Sequence, residues 1–322
     1  MNETVTKRER RPELDRAFAH VAGLAASADL TGISDPLQQF VAVIRALMPR
    51  YGDVGQMPAL EGVTFTPVDA GGVGAEWVIA NDADPARCIV YTHGGGWVGG
   101  SPEGYRAITG MLARLSRAAI LVIDYRLAPE HRFPSGLEDC VNAFRWAALH
   151  GLDGRRAGSV ASSTHLSLAG DSAGGNLAAA TCLELVARGE RIPDRLVLIA
   201  GTLDNQSPPD RVGIDDQIAT AESLAAGTAV YLGPSGNPSD HRVSPVSAPR
   251  HLLEKFPPTL LQASSIETLA YDSRKFAARL EDAGVRTNLS MWPELPHVWH
   301  AFLGLLPEAT EALQEIADFV RR

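Results

Sequence analysis

The chain has 322 residues, 45% of them hydrophobic and 21% charged, with a formal net charge of −9. That length allows one large α/β domain or two smaller ones, each with a sizeable core, and the acidic balance without a basic stripe argues against nucleic acid as a partner. No apolar run approaches the roughly eighteen residues that a membrane span needs.

In chain order, the mixed-sign run Lys7-Arg8-Glu9-Arg10-Arg11 reads as a solvated helix start or a frayed terminus rather than a binding patch. Two helices are expected from residue 9 to about 50, parted by Asp29-Leu30-Thr31-Gly32, with Leu37, Phe40, Val41, Ile44 and Leu47 at helical spacing. Val63, Phe65 and Val68, then Trp77, Val78 and Ile79 beyond Gly71-Gly72, predict an antiparallel hairpin. From Cys88 onward the chain alternates strands and helices. Strands are expected at Cys88–Tyr91, Ala119–Ile123, Leu166–Ala169, Leu196–Ala200, Thr259–Ala263 and Thr287–Trp292. Helices are expected at Tyr105–Arg117, Leu137–Leu149, Ala173–Arg188, Ser273–Ala283 and Glu308–Val320.

Short, unalternating apolar strands require cover on both faces, and their rhythm with helices predicts a mostly parallel sheet. Between 203 and 250 that rhythm dissolves into turn-rich sequence around one helical piece, Ile214 to Tyr231, which marks an insertion with a functional role. The three cysteines, Cys88, Cys140 and Cys182, are widely spaced within apolar patterns and read as free buried thiols. With no apolar segment behind Met1-Asn2-Glu3-Thr4 to act as a leader, a cytoplasmic protein is expected.

Chemistry concentrates where the strand ending at Ala169 meets Gly170-Asp171-Ser172-Ala173-Gly174 and a helix starts at once. A strand–Gly-x-Ser-x-Gly–helix turn is the context of a nucleophile elbow, in which the residues two before and two after the serine must lack a bulky Cβ. A serine is a poor nucleophile without an imidazole held by a carboxylate. In the order serine, acid, histidine, these partners belong on loops after successive strands. Past Ala263 come Glu267 and then Asp272; past Trp292 comes His297, with His300 as a secondary candidate one turn into the last helix. An oxyanion needs fixed N–H donors, and His93-Gly94-Gly95-Gly96-Trp97 directly follows a strand. The expected donors are amides of that loop together with Ala173 at the head of the elbow helix. No cysteine or histidine spacing resembles a metal site, so neither metal nor organic cofactor is implied.

His93-Gly94-Gly95-Gly96-Trp97, Gly170-Asp171-Ser172-Ala173-Gly174-Gly175 and Asp124-Tyr125-Arg126-Leu127-Ala128-Pro129-Glu130-His131 together resemble the hormone-sensitive-lipase-like family of bacterial esterases, from about residue 60 to the C-terminus. The resemblance implies an α/β-hydrolase fold: a mostly parallel eight-stranded sheet, flanked by helices and carrying a helical cap. It implies Ser172 as nucleophile, His297 as base, and Gly95, Gly96 and Ala173 as oxyanion donors supported by Gly94. The family's acid is followed two residues later by Leu, which favours Glu267, with Leu269, over Asp272. The Asp124–His131 stretch is expected to buttress the site as a buried charged cluster, with Arg126 paired to Glu130.

The reading that follows is a serine hydrolase of short to medium acyl esters, or of lactones, working through an acyl-enzyme. A non-catalytic small-molecule receptor on the same fold is the alternative, and the intact His297 argues against it. Residues 56–202 and 251–322 would form the catalytic domain, with the cap supplied by 1–55 and 203–250. Trp97, Tyr231, Trp299 and Phe302 are candidates for an apolar substrate pocket. The expected partner is a small ester or lactone, and the last strand is an edge across which a homodimer could pair.

Overall fold

The computed structural model describes residues 11–54, 60–150, 165–213 and 216–322. Residues 7–10 of the charged run, the expected boundary at 55–56 and the start of the helix expected at Ile214 lie outside them.

Eight strands form one sheet. The first pair, β1 (Val63–Asp69) and β2 (Gly74–Ala80), is the expected antiparallel hairpin. Gly71 and Gly72 turn it, both at positive φ, where a side chain would be strained. β2 runs antiparallel to β4 (Ala119–Ile123), and β4 parallel to β3 (Arg87–Thr92). The parallel run then continues through β5 (His165–Asp171), β6 (Arg195–Ile199), β7 (Thr259–Ser264) and β8 (Thr287–Trp292). The spatial order is β1-β2-β4-β3-β5-β6-β7-β8, so β1 and β8 are the edges.

Every residue of β4 is buried, as continuous apolar runs require when both faces are covered. Alternation then sorts side chains to two cores. Cys88, Val90, Leu121 and Ile123 face one core with α4 (Ser135–His150), α5 (Ala173–Arg188) and α8 (Ala270–Asp282). Ile89, Tyr91, Ile120 and Val122 face the other with α3 (Arg106–Ser116) and α9 (Pro307–Arg321).

Two N-terminal helices, α1 (Pro12–Ala26) and α2 (Pro36–Leu47), pack on each other and reach the second core through Leu14, Phe18, Val21 and Leu47. Asp35 caps α2, accepting from the N–H groups of Leu37 and Gln38, and Pro36 fills the first helical position. Between β6 and β7, α6 (Ala221–Leu232) begins seven residues later than the periodicity predicts. The Asp216 carboxylate takes the N–H groups of Ile218 and Ala219 into a turn, and Thr220 supplies the helix cap. A one-turn helix, α7 (Arg250–Leu253), leads into β7.

Candidate active site

Ser172 sits between the end of β5 and the first residue of α5, at φ 52° and ψ −120°. A non-glycine residue at positive φ is held there by its surroundings. Its N–H donates to the Ile199 carbonyl at 2.8 Å, and its own carbonyl accepts from Thr202 at 3.1 Å. The flanking glycines leave no room for side chains. A Cβ on Gly170 would overlap the Thr92 hydroxyl, and one on Gly174 would overlap the carbonyl oxygens of Thr92 and His93.

The loops after β7 and β8 bring the two partners to it. His297 Nε2 lies 3.0 Å from Ser172 Oγ, and His297 Nδ1 lies 2.7 Å from Glu267 Oε2. The other Glu267 oxygen accepts from the Ser264 backbone N–H at 2.6 Å, which fixes the carboxylate in plane. Burial pushes the Glu267 carboxyl upward from its ordinary range, against the opposing pull of His297 and the Ser264 amide. Burial also works against a protonated His297. The hydrogen bond and charge of Glu267 outweigh it, helped by Asp216 and Asp171, so the imidazole pKa is raised.

Asp272 is committed elsewhere. Its carboxylate meets Arg211 Nε at 2.8 Å and accepts from the backbone N–H groups of Leu203 and Asp204 at 2.7 and 2.9 Å. It therefore ties Leu203, Asp204 and Arg211 to α8. His300 is not in the last helix, which starts only at Pro307. It occupies a short turn, Trp299–Ala301, fully buried with Nε2 at 2.8 Å from Gln262 Oε1, in structural contact rather than at the site.

The glycine loop divides its work in a way the motif alone does not display. The Gly94 N–H is already bonded, to the Tyr105 hydroxyl at 2.9 Å and to Asp171 Oδ1 at 3.1 Å, so it is not a free donor. Among the described residues no acceptor of the protein takes the N–H of Gly95, Gly96 or Ala173. Gly95 and Gly96 both have positive φ. Asp171, inside the elbow motif but unused in the sequence reading, anchors this loop. It accepts Tyr91 Oη at 2.9 Å and Tyr105 Oη at 2.8 Å besides Gly94. Burial pushes its carboxyl up to about 6, against the lowering pull of Tyr105, Tyr91, His297 and the Gly94 amide.

Over Ser172 and His297 lies a cavity of about 200 Å³, lined mostly by apolar side chains. Phe18 and Val21 come from α1, Phe40 and Ile44 from α2, and Leu224 and Gly227 from α6, with Trp97 on the glycine loop. Of the four aromatic candidates only Trp97 borders it. Tyr231 stacks behind Trp97, with ring centroids 4.6 Å apart and planes 7° apart. Trp299 and Phe302 are fully buried in the core under α9, because the turn at Trp299–Ala301 directs them away from the cavity. Sequence reasoning missed Phe18, Phe40 and Tyr51, whose apolar helical spacing is indistinguishable from that of ordinary core residues.

The Asp124–His131 stretch differs from the expected buried cluster. Asp124, Arg126 and Glu130 are exposed, and Arg126 and Glu130 do not pair. Arg126 binds Asp139 on α4 at 2.8 Å, and Glu130 binds Arg45 on α2 at 2.6 Å. The 85-residue separation of that second pair leaves no local trace in the sequence. Tyr125 is buried and supports the site, its hydroxyl donating to the His93 carbonyl at 2.8 Å while its ring stacks on His93.

A mostly parallel sheet with a serine on the strand-to-helix turn after β5, and an acid and a histidine after β7 and β8, defines an α/β hydrolase. Residues 89–301 match the family described as an alpha/beta hydrolase fold. The chain belongs to that family, among its hormone-sensitive-lipase-like bacterial esterases, and is a carboxylesterase. An esterase of Acinetobacter venetianus is 30% identical over 260 residues, covering 80% of this chain and 82% of the relative. An acetyl-hydrolase of Streptomyces hygroscopicus is 33% identical, covering 79% of this chain and 81% of its own. The crystal structure of an esterase from the bacterial hormone-sensitive lipase family superposes with a TM-score of 0.80 at 31% identity. That match covers 98% of this chain and 99% of the other.

Proposed function

We propose that this carboxylesterase hydrolyses esters of short to medium acyl chain through Ser172, His297 and Glu267. The observation that carries the reading is the unbroken hydrogen-bonded series Glu267–His297–Ser172, with links of 2.7 and 3.0 Å. Ser172 Oγ attacks the ester carbonyl carbon as its proton passes to His297 Nε2, and Glu267 steadies the imidazolium. The carbonyl oxygen becomes an oxyanion facing the N–H groups of Gly95, Gly96 and Ala173, with Gly94 holding the loop. The intermediate collapses as His297 returns the proton to the departing alkoxide and the C–O bond breaks. A water, deprotonated by His297, attacks the acyl-enzyme; the acyl–Ser172 bond breaks and Oγ recovers its proton.

Helices α1 and α2 with the 203–250 insertion serve as the cap, since their side chains supply most of the cavity wall. A small, apolar cavity favours acyl groups of limited length and disfavours charged ones. The test is intact-mass labelling with a fluorophosphonate, alongside hydrolysis of p-nitrophenyl esters of increasing length and a lactone panel. One adduct at Ser172 and a fall in kcat/KM at long acyl chains are expected. Hydrolysis surviving in Ser172→Ala would overturn the assignment.

A further inference from the structure

Val298, directly after His297, has φ 49° and ψ 50°. A β-branched residue in the left-handed region is an outlier, because its Cβ crowds the neighbouring carbonyl. The peptide between His297 and Val298 is a planar unit that can rotate as a whole. Rotating that peptide by about half a turn changes ψ of His297 and φ of Val298 together and moves Val298 to negative φ. Where the change in ψ of His297 does not fully offset that in φ of Val298, the backbone that carries the imidazole shifts as well.

What opposes this rotation comes from the other end of the chain. The Tyr51 hydroxyl donates a hydrogen bond to the His297 carbonyl oxygen, which is the oxygen that a peptide rotation would swing away. Tyr51 is buried, borders the cavity and packs its ring 5.4 Å from that of Phe302. The next residue leaves no slack, since a Cβ on Gly52 would overlap the Ala301 carbonyl oxygen. Tyr51 and Gly52, just past the Met48–Arg50 turn that follows α2, are thus pressed against residues 297–302.

We infer that Tyr51 is a positioning residue, holding the strained His297–Val298 peptide in the orientation that aims His297 Nε2 at Ser172. It makes the alignment of the base depend on the N-terminal helices being seated. This rests on His297 acting as the base, and the experiment separates the two.

The experiment is a double-mutant cycle on the full chain with p-nitrophenyl butyrate. Tyr51→Phe keeps the ring and its packing but removes the hydroxyl. It should lower kcat about ten-fold, the effect of one lost hydrogen bond, with KM changed less than two-fold. Val298→Gly removes the steric objection to positive φ. In the Val298→Gly background, adding Tyr51→Phe should therefore cost less than two-fold in kcat. Equal losses in both backgrounds would mean that Tyr51 merely packs, and an unchanged kcat in Tyr51→Phe would also sink the inference. Ser172→Ala and His297→Ala run in parallel. If either stays active, the proposed reaction itself fails; if both are inactive while Tyr51→Phe matches the parent, only the positioning role fails.

Discussion

His297 Nδ1 meets Glu267 Oε2 at 2.7 Å, while Asp272, five residues further along and equally buried, faces Arg211 instead. Two carboxylates after one strand thus have separate work. Glu267→Gln should lower kcat by about 10⁴-fold, since it loses the charge that holds the imidazole in tautomer and place. Asp272→Asn should leave the kcat of folded enzyme within a few-fold. It should instead cost about 3–5 kcal/mol in denaturant unfolding, because Arg211 is left buried without its counter-charge. Reversed outcomes would reassign the acid.

The pH profile follows from the same contact. In the proposed reaction His297 must be neutral to take the Ser172 proton, and its pKa is raised because Glu267 outweighs burial. Activity should therefore fall as pH drops through a midpoint above the ordinary imidazole value of 6.5. Full activity belongs on the alkaline side of that midpoint. In Glu267→Gln the residual activity should show a lower midpoint, since burial then acts without the compensating charge. A kcat/KM profile with an unshifted midpoint in the variant would contradict this.

Asp171 gathers three donors, from Tyr91, Tyr105 and the Gly94 backbone. Asparagine has the same shape but only one accepting oxygen, so one donor must go unpaired and the glycine loop loosens. Asp171→Asn is expected to lower kcat about ten-fold or more with KM little changed, the pattern of a loss felt in the transition state. A loss confined to KM would place the effect in substrate binding rather than in the oxyanion loop.

Phe40 sets a wall of the cavity. Its Cζ lies 3.3 Å from where a Cβ on Gly227 would stand and 3.2 Å from the same position on Gly96, so the ring fills a notch between α6 and the glycine loop. Phe40→Ala should open that notch and raise the octanoate-to-butyrate ratio of kcat/KM about ten-fold. Gly227→Val should crowd Phe40 and move the ratio the other way. A ratio indifferent to both changes would remove Phe40 as a determinant of acyl length.

The strand–helix alternation, the glycines around Ser172 and the order serine, acid, histidine were all legible in the sequence. They depend on neighbours along the chain, through side-chain period, Cβ clashes and turn geometry. The expected start at Ile214 missed the actual start of α6 because an Asp216 side chain competes with the helix for backbone N–H groups. The pairing of Arg126 with Asp139, of Glu130 with Arg45 and of Tyr51 with His297 spans 13, 85 and 246 residues. Packing of distant elements alone sets such partners.

Ser172, His297 and the glycine loop were thus specified by the local sequence. Tertiary structure decided that Glu267 rather than Asp272 reaches the histidine, that Trp97 borders the cavity while Trp299 and Phe302 fill the core, and that Asp171 ties the loop to the elbow. A motif records which backbone conformations a stretch can adopt. Which side chains then meet depends on how the sheet brings separate loops together, and that information is spread over the whole chain.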